Sequence, residues 1–441
     1  MLSYKVLFDR AAEEGIEALE VFSSKSSNFS FSLFRSELDS YKVSDSFNME
    51  VRGIVNGQFG YASCEKFDRE AVEYIVSHIK ENAGFASSEE KAQLFKGSEK
   101  YHRKNVFNKE LAKRTPEEKI AKVREIDRCV RAKSELMKEV QIMYSDVTEE
   151  VTLMNSYGLK LSSKTNYGYI YCSAIAVDDK GETKNGADIK IFSDLAEVDA
   201  DKVAEKAVED TLSQFGSAPC ASGTYREVLN PETVSSLLPF FISNLSSEQV
   251  QKKSSLLAGK LNEKVVSRKL TISENPLQKN VFFRYFDDEG VATENKVLID
   301  KGILKTYLYN LATAEKDGVT STGNGYKRGG KIGVSTINVA IKPGKLSEEE
   351  LIEKCGEGIY ITDVSGLHAG LNAQSGNFSL LSQGFMIRNG KKAEPVALIT
   401  AAGNLFTLFN DVEAVGNNVE LKTNSCSVPS LLVKGLQISG N

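Results

Sequence analysis

The chain has 441 residues, long enough for two or three domains with cores of their own, and its 41% hydrophobic and 26% charged residues are the balance of an ordinary globular protein. Fifty-five Lys and Arg against 60 Asp and Glu give a net charge of −5, which exerts no general pull on nucleic acid; local basic patches reach only Lys252-Lys253 and Lys327-Arg328 with Lys331. No apolar run approaches the roughly 20 residues of a membrane helix, and Met1 to Lys5 lacks a signal-peptide pattern, so a cytoplasmic protein without nucleic-acid or membrane partners is expected.

Phe29, Phe31 and Leu33 alternate with Ser30 and Ser32, the period of a half-buried strand. Met49 to Val55, Asn56-Gly57 and Gln58 to Ser63 predict a hairpin on a type I′ turn. Asp68 caps a helix whose Val72, Ile75, Val76 and Ile79 share a face. After a polar, lysine-rich stretch from Ser87 to Lys113, Thr115-Pro116-Glu117-Glu118 signals a second helix with a capping box and a proline in its first turn. Ile120, Val123, Ile126 and Val130 are its expected buried stripe. Period-two alternation from Glu139 to Phe192, with turns at Tyr157-Gly158, Lys180-Gly181 and Asn185-Gly186, predicts a four-strand antiparallel meander. Asp199 then opens a helix carrying Val203, Ala207, Leu212 and Phe215 that Gly216 closes.

Ser217 to Gly223 is the linker candidate, made of small, flexible residues between a finished helix and a new strand. It divides an N-terminal α+β domain of helices and hairpins (1–216) from a β-rich C-terminal domain (224–441). In the second domain one or two helices run from Pro231 to about Leu261 with Asn230 as cap. Another spans Ser347 to Cys355 behind a Ser347/Glu350 capping box, and one lies near Leu405 to Asn410. Helices and antiparallel strands in separate blocks predict an α+β fold of two domains rather than a parallel nucleotide-binding sheet.

Zinc hydrolysis needs two or three convergent ligands and a carboxylate to manage the water's proton. Only three histidines exist. His78 lies on a helix beside Ile79 with no second histidine one turn away. Glu99 and His102 have the spacing of a bridged metal pair in a single copy, where such a site needs two. His368 sits between glycines in Gly366-Leu367-His368-Ala369-Gly370 and reads either as surface or as site. Six cysteines at wide intervals, without a Cys-x-x-Cys, read as free packing residues. Gly323, Gly325, Gly329, Gly330 and Gly333 do not form a phosphate-loop pattern and instead allow a tight turn or close approach of another backbone. No Gly-x-Ser-x-Gly nucleophile motif is present.

Several segments follow one another in a familiar order: Phe286-Asp287-Asp288-Glu289-Gly290, Asp300 to Lys305, Thr322-Gly323-Asn324-Gly325, Ser375-Gly376-Asn377-Phe378, Gly384 to Gly390, Val415-Gly416-Asn417-Asn418 and Cys426 to Val433. Together they resemble the TldD/PmbA family of bacterial peptidase-associated proteins, and the last is similar to its PmbA (TldE) branch. The resemblance implies an α/β-type N-terminal domain, a β-rich C-terminal domain and dimers. In the zinc-bearing TldD branch an upstream helix carries His-Glu-x-x-x-His, whereas here Leu237 to Ser243 reads Leu-Leu-Pro-Phe-Phe-Ile-Ser. No metal, no catalytic residue and no cofactor are therefore expected on this chain. The implied function is that of a non-metal subunit which helps a TldD-like zinc peptidase subunit handle unfolded or leader peptides. Thr322, Gly323, Asn324, Gly325, His368, Ser375 and Gly376 are the candidate peptide contacts. A homodimer or heterodimer is expected to bury apolar positions such as Phe282-Phe283 and Leu380-Leu381. The alternative is a stand-alone homodimeric regulatory protein of the gyrase-modulator type, and a third reading is an enzyme with an unrecognised site around His368.

Overall fold

The computed structural model describes residues 2–85, 93–328 and 331–440. Residues 87–92 of the lysine-rich stretch, and Gly329-Gly330, lie outside the described residues. The fold is α+β, and its contacts define two units. The first comprises Met1–Ala174, Ala187–Ala207 and Lys279–Thr293; the second comprises Ile175–Gly186, Val208–Gln278 and Glu294–Asn441.

The first unit is built from α1 (Tyr4–Glu13), β1 (Ala18–Phe34), β2 (Glu37–Val55), β3 (Gln58–Cys64), α2 (Arg69–Gly84), α3 (Lys109–Lys113), α4 (Pro116–Lys133) and β4 (Met137–Asn155), with β5 (Lys160–Val177) up to Ala174, β6 (Thr183–Phe192) from Ala187 and α5 (Ala200–Leu212) up to Ala207. Its sheet runs β3-β2-β1-β4-β5-β6, with β1 antiparallel to both β2 and β4. Asn56 and Gly57 take φ of 51° and 72°, the left-handed pair a type I′ turn requires, and join β2 to β3. Asp68 accepts from the Ala71 amide to start α2, which buries Val72, Ile75, Val76 and Ile79 with Val21, Met49 and Val51 of the sheet.

Both halves of the capping box at Thr115 and Glu118 form at the start of α4. Its buried stripe is Val123, Ile126 and Val130 together with Lys119, while Ile120 is only half-buried. The lysine takes the inward position because Asp146 meets its Nζ at 2.6 Å and the Phe29 ring lies 4.7 Å from it, so the buried charge is matched. The expected four-strand meander has three strands. Tyr157-Gly158 and Lys180-Gly181 do form turns, but Asn185-Gly186 lies inside β6, where a Cβ on Gly186 would sit 2.5 Å from the Thr211 amide nitrogen. That glycine admits a neighbouring helix rather than a turn.

Residues 279–293 come from far along the chain, and they pack within the first unit. Asp287 is fully buried and accepts from the amides of Glu289 and Val291, while the Tyr101 hydroxyl donates to the Gly290 carbonyl at 2.7 Å. Gly290 has φ of 86°, and a Cβ there would meet Leu159 at 2.8 Å. Phe286 to Gly290 is thus an anchored tight turn.

The second unit continues with β7 (Gly223–Leu229), α6 (Pro231–Ile242), α7 (Ser247–Gln251), β8 (Ile272–Glu274), β9 (Lys296–Asp300), β10 (Ile303–Leu304), α8 (Leu311–Asp317), β11 (Gly325–Arg328), β12 (Lys331–Val334), β13 (Val339–Ile341) and α9 (Glu348–Cys355). It ends with β14 (Gly358–Ser365), α10 (Leu367–Gly370), β15 (Asn377–Arg388), β16 (Lys391–Asn404), α11 (Leu405–Asn410), β17 (Val412–Val415), β18 (Glu420–Leu421), β19 (Cys426–Val428) and β20 (Leu431–Ser439). One sheet runs β16-β15-β14-β7-β20-β17, and a further pairing of β16 with β20 closes five of its strands into a ring. A second sheet runs β10-β9-β8-β13-β19-β18. One core joins them: Leu229, Ile359 and Ile399 from the ring, Ile272, Leu298 and Ile341 from the second sheet, and Leu237, Leu238, Phe241, Leu405 and Phe409 from α6 and α11.

All six cysteines are free. Burial pushes the Cys426 and Cys172 thiols up to about 12 and Cys355 to about 11, so these three stay protonated and serve as packing groups.

Candidate functional site

The stretch Leu237 to Ser243 forms the second half of α6. Asn230 caps this helix by accepting from the Thr233 amide at 2.8 Å, and its own amide donates to the Thr362 carbonyl, which ties the helix start to β14. Leu237, Leu238, Phe241 and Ile242 are buried, with the Phe241 ring 5.4 Å from Phe406 and 5.0 Å from Phe409. Pro239 and Ser243 face outward. This half of the helix is a hydrocarbon wedge between α11 and the sheets.

Just after α6 the chain supports two loops that carry most of the candidate residues. Asn244, itself buried, donates to the carbonyls of Phe240 and Ala373, which fixes the loop through Ser375 and Gly376 against the helix end. Asn372 turns that loop by accepting from the amides of Gln374 and Ser375, and Asn404 donates to the Ser375 carbonyl at 2.8 Å. Gly376 has φ of 75°, and a Cβ on it would lie 2.7 Å from the Phe406 ring. Three residues further along, the Ser247 amide donates to the Leu308 carbonyl at 2.9 Å and its hydroxyl to Thr313 at 2.7 Å. The Tyr309 amide then donates to the Thr322 hydroxyl oxygen at 2.7 Å, which seats the second loop, Thr322 to Gly325.

The base of that second loop is a buried ionic cluster. Asn324 and Glu274 both have 0% exposure. The Asn324 amide donates to the two Glu274 carboxylate oxygens at 2.9 and 3.0 Å and to the Ser335 carbonyl at 2.8 Å. Lys296 Nζ meets Glu274 Oε2 at 2.8 Å and Asn324 Oδ1 at 3.2 Å, and the Ile337 amide donates to Glu274 Oε1 at 2.9 Å. The Thr322 hydroxyl completes the ring of bonds by donating to Asn324 Oδ1 at 2.7 Å. A buried carboxylate with a lysine and three neutral hydrogen bonds is well satisfied, and it fixes the backbone that enters β11. Gly323 reaches φ of 70° within this clamp.

The structure therefore hangs Thr322 to Gly325 and Ser375-Gly376 on one segment, residues 244–247. His368 is exposed on the four-residue α10, and none of the described hydrogen bonds involves it. Glu274 and Lys296 escape a reading by motif, although one signal existed: an acid two residues after Ile272 on the buried side of a strand. Of the apolar positions expected between subunits, Phe283 and Leu380 are buried within the chain's own cores at 1% exposure each, while Leu381 is 52% exposed.

Models of three successive domains of the PmbA/TldA metallopeptidases match residues 19–83 (domain 1), 109–215 (the central domain) and 222–440 (the C-terminal domain). The chain belongs to the PmbA/TldD family. A protein of unassigned function from Methanocaldococcus jannaschii is 29% identical to it over 433 residues, 96% of each chain. The metalloprotease PmbA of Escherichia coli O157:H7 is 28% identical over 305 residues, 66% of this chain and 65% of that one. The crystal structure of a candidate modulator of a DNA gyrase from Thermotoga maritima superposes with a TM-score of 0.91 at 29% identity, covering 99% of this chain and 100% of that one. TldE from Thermococcus kodakarensis shares the fold, with a TM-score of 0.91 at 23% identity and 99% of each chain covered.

The family's name points to a metal, and the side chains of the second half of α6 do not fit one. The side chains of Leu237, Leu238, Phe241 and Ile242 offer no donor atom and fill core space. Among the described residues, no three His, Cys, Asp or Glu are grouped to hold an ion. What the PmbA/TldD scaffold carries here is two glycine-bearing loops on a common support, in which Gly323, Gly325 and Gly376 are buried and Thr322 and Ser375 are half-buried.

Proposed function

We propose that this chain is a PmbA/TldE-type subunit without a zinc site of its own, which pairs in the cytoplasm with a TldD-like zinc peptidase subunit and helps it admit and hold extended or leader peptides. The observation that carries this reading is α6, whose zinc-motif segment is a buried hydrocarbon wedge. An extended peptide can add to exposed backbone through main-chain hydrogen bonds, which makes such binding tolerant of sequence. Thr322 and Ser375, both half-buried, and the exposed His368 are the proposed contacts, while the buried Gly323, Gly325 and Gly376 shape the loops that carry them. Asn324, being fully buried, acts by holding its loop.

The test is a reconstitution. This chain alone leaves an unstructured peptide intact, and adding a cognate TldD-like subunit produces cleavage that a chelator abolishes. Gly323→Val with Gly325→Val forces a β-branched side chain onto the left-handed backbone at 323 and adds bulk at the buried position 325, and should slow that cleavage while pairing persists. Chelator-insensitive cleavage by this chain alone would replace the reading with a non-metal hydrolase. The gyrase-modulator descriptions of the Thermotoga maritima structure and of a Bacteroides thetaiotaomicron structure (TM-score 0.89) favour a second reading, a stand-alone homodimeric regulator. Failure of the two subunits to pair or to cleave would select it.

A further inference from the structure

Six cations gather on the first unit without partners to neutralise them. The segment after Ser98 runs along the start of β5 and is pinned to it. Arg103 donates to the Lys160 carbonyl at 3.2 Å across 57 positions of sequence, the Asn108 amide donates to Asn166 Oδ1 at 2.7 Å, and the Asn166 side chain returns a bond to the Asn108 carbonyl at 2.8 Å. Lys100, Arg103, Lys104 and Lys109 are thereby set alongside Lys160 and Lys164, and all six are exposed. Two of them stand over aromatic rings, Arg103 5.8 Å from Tyr285 and Lys164 4.9 Å from Phe107, which steadies the charged ends at the surface.

The surrounding acids do not offset this charge. Among the described residues, Lys164 is the one member of the six in an ion pair, with Glu150 at 4.0 Å, and that pair is half-exposed and weak. Glu99 is exposed beside Lys100. Glu110 is taken by Lys113 at 3.0 Å, and Glu149, next to Glu150 on β4, points to the other face of the sheet. Asp287, Asp288 and Glu289, in the turn that Tyr101 binds, are buried at 0%, 7% and 5% exposure. Elsewhere the chain matches its cations, Arg10 with Glu14 and Glu73, and Lys422 with Glu232 and Glu420. Six cations against two acids repel one another in the folded state, on a chain whose net charge of −5 holds carboxylates to spare. An anionic partner removes that repulsion.

The strip also selects the kind of anion. It follows β5 from Lys160 to Asn166, about 20 Å of open surface at about 3.3 Å per residue, a length that suits an extended chain of about six residues. Five of the six cations are lysines, flexible point charges that follow carboxylates at variable spacing. A nucleic acid carries its charge far beyond the strip and meets the acidic remainder of the chain, whereas a short acidic segment lies wholly within the screening length of about 8 Å around these cations. We infer that the strip binds an acidic stretch of an extended polypeptide. The choice of a polypeptide rests on the peptide-handling reading, but the contact is read by binding to this chain alone, so it can fail while cleavage by the paired subunits stands, and the reverse.

The experiment is fluorescence anisotropy of the full-length chain with a fluorescein-labelled peptide of alternating glutamate and serine, its glutamine counterpart, and a single-stranded oligonucleotide of equal charge. The variants are Lys104→Glu with Lys160→Glu on the strip, and Lys252→Glu with Lys253→Glu on the second unit, which changes the net charge by the same amount. The glutamate peptide is expected to bind the wild type and to be released as salt rises from roughly 0.05 to 0.3 M, while the glutamine peptide does not bind. The strip variant should hold the glutamate peptide about tenfold more weakly, and the control variant within about twofold of wild type. Lys104→Gln with Lys160→Gln removes the charges without reversing them, and it carries the test if circular dichroism shows the glutamate variant misfolded. Four results overturn the proposal: no binding of the glutamate peptide at the lower salt, equal binding of both peptides, a strip variant that binds no more weakly than the control variant, or tighter binding of the oligonucleotide than of the peptide.

Discussion

Replacing Lys296 by methionine tests the claim that a buried ionic cluster sets the Thr322 to Gly325 loop. Glu274 is 0% exposed, and its donors are Lys296 at 2.8 Å, the Asn324 amide at 2.9 and 3.0 Å and the Ile337 amide at 2.9 Å. The substitution keeps the length of the side chain and removes only the charge, so the carboxylate stays buried with neutral donors alone. Breaking a buried pair from one side costs roughly 3–5 kcal/mol, and with two neutral donors surviving we expect about 3 kcal/mol. The exposed pair Arg388–Glu394, with side chains 52% and 53% accessible, is the control, and Arg388→Met should lose less than about 1 kcal/mol. A double variant, Lys296→Met with Glu274→Gln, should recover most of the loss because no charge is left unmatched. Urea unfolding followed by circular dichroism is the assay, since the chain has no tryptophan. The reasoning is refuted if Lys296→Met is no more destabilised than Arg388→Met.

Three further outcomes can be checked by unfolding measurements. Glu227 on β7 is fully buried; desolvation holds its carboxyl well above the usual range against one bond from the Leu436 amide, and the other carboxyl oxygen is buried without a partner. A raised folded-state pKa gives stability that is complete below the unfolded value near 4.5 and is lost as pH rises toward the folded value, so Glu227→Gln should flatten the fall of melting temperature above pH 4.5. Gly376→Ala must bear a left-handed backbone and a methyl 2.7 Å from the Phe406 ring, and should cost about 2–5 kcal/mol in the same urea titration. Thr115→Ala removes one half of the capping box on α4 and should cost about 1 kcal/mol, seen as an earlier transition of the first unit.

Local signals in the sequence carried well into the structure. The caps at Asp68, Thr115, Asn230 and Ser347 and the Asn56-Gly57 turn depend on residues within a few positions of one another, so spacing alone reveals them. Signals whose cause is distant did not carry. Asn185-Gly186 has the composition of a turn, and only the approach of Thr211 shows that its glycine makes room inside a strand. Lys119 took an inward position that hydropathy assigns to Ile120, because Asp146 and Phe29 come to meet it from two strands. The clamp under Gly323 joins residues 50 and 28 positions apart, a distance at which no periodicity speaks. The candidate loops themselves were visible as glycine-bearing segments, while the support they share after α6 was not.

The ring in the second unit has a consequence for how the protein is made. Glu227 on β7 is joined to Leu436 on β20 across 209 positions of sequence, so the first stave of the ring emerges from the ribosome long before the one that closes it. At about 5–20 residues per second, β7 waits roughly 10 to 40 seconds, and until β20 appears the ring has an open seam. Nascent β7 keeps an unpaired edge throughout that interval, and β16 adds a second once it has been made, the state in which strands are captured by chaperones or by each other. Any partner that reads the finished ring can therefore associate only after translation has passed β20.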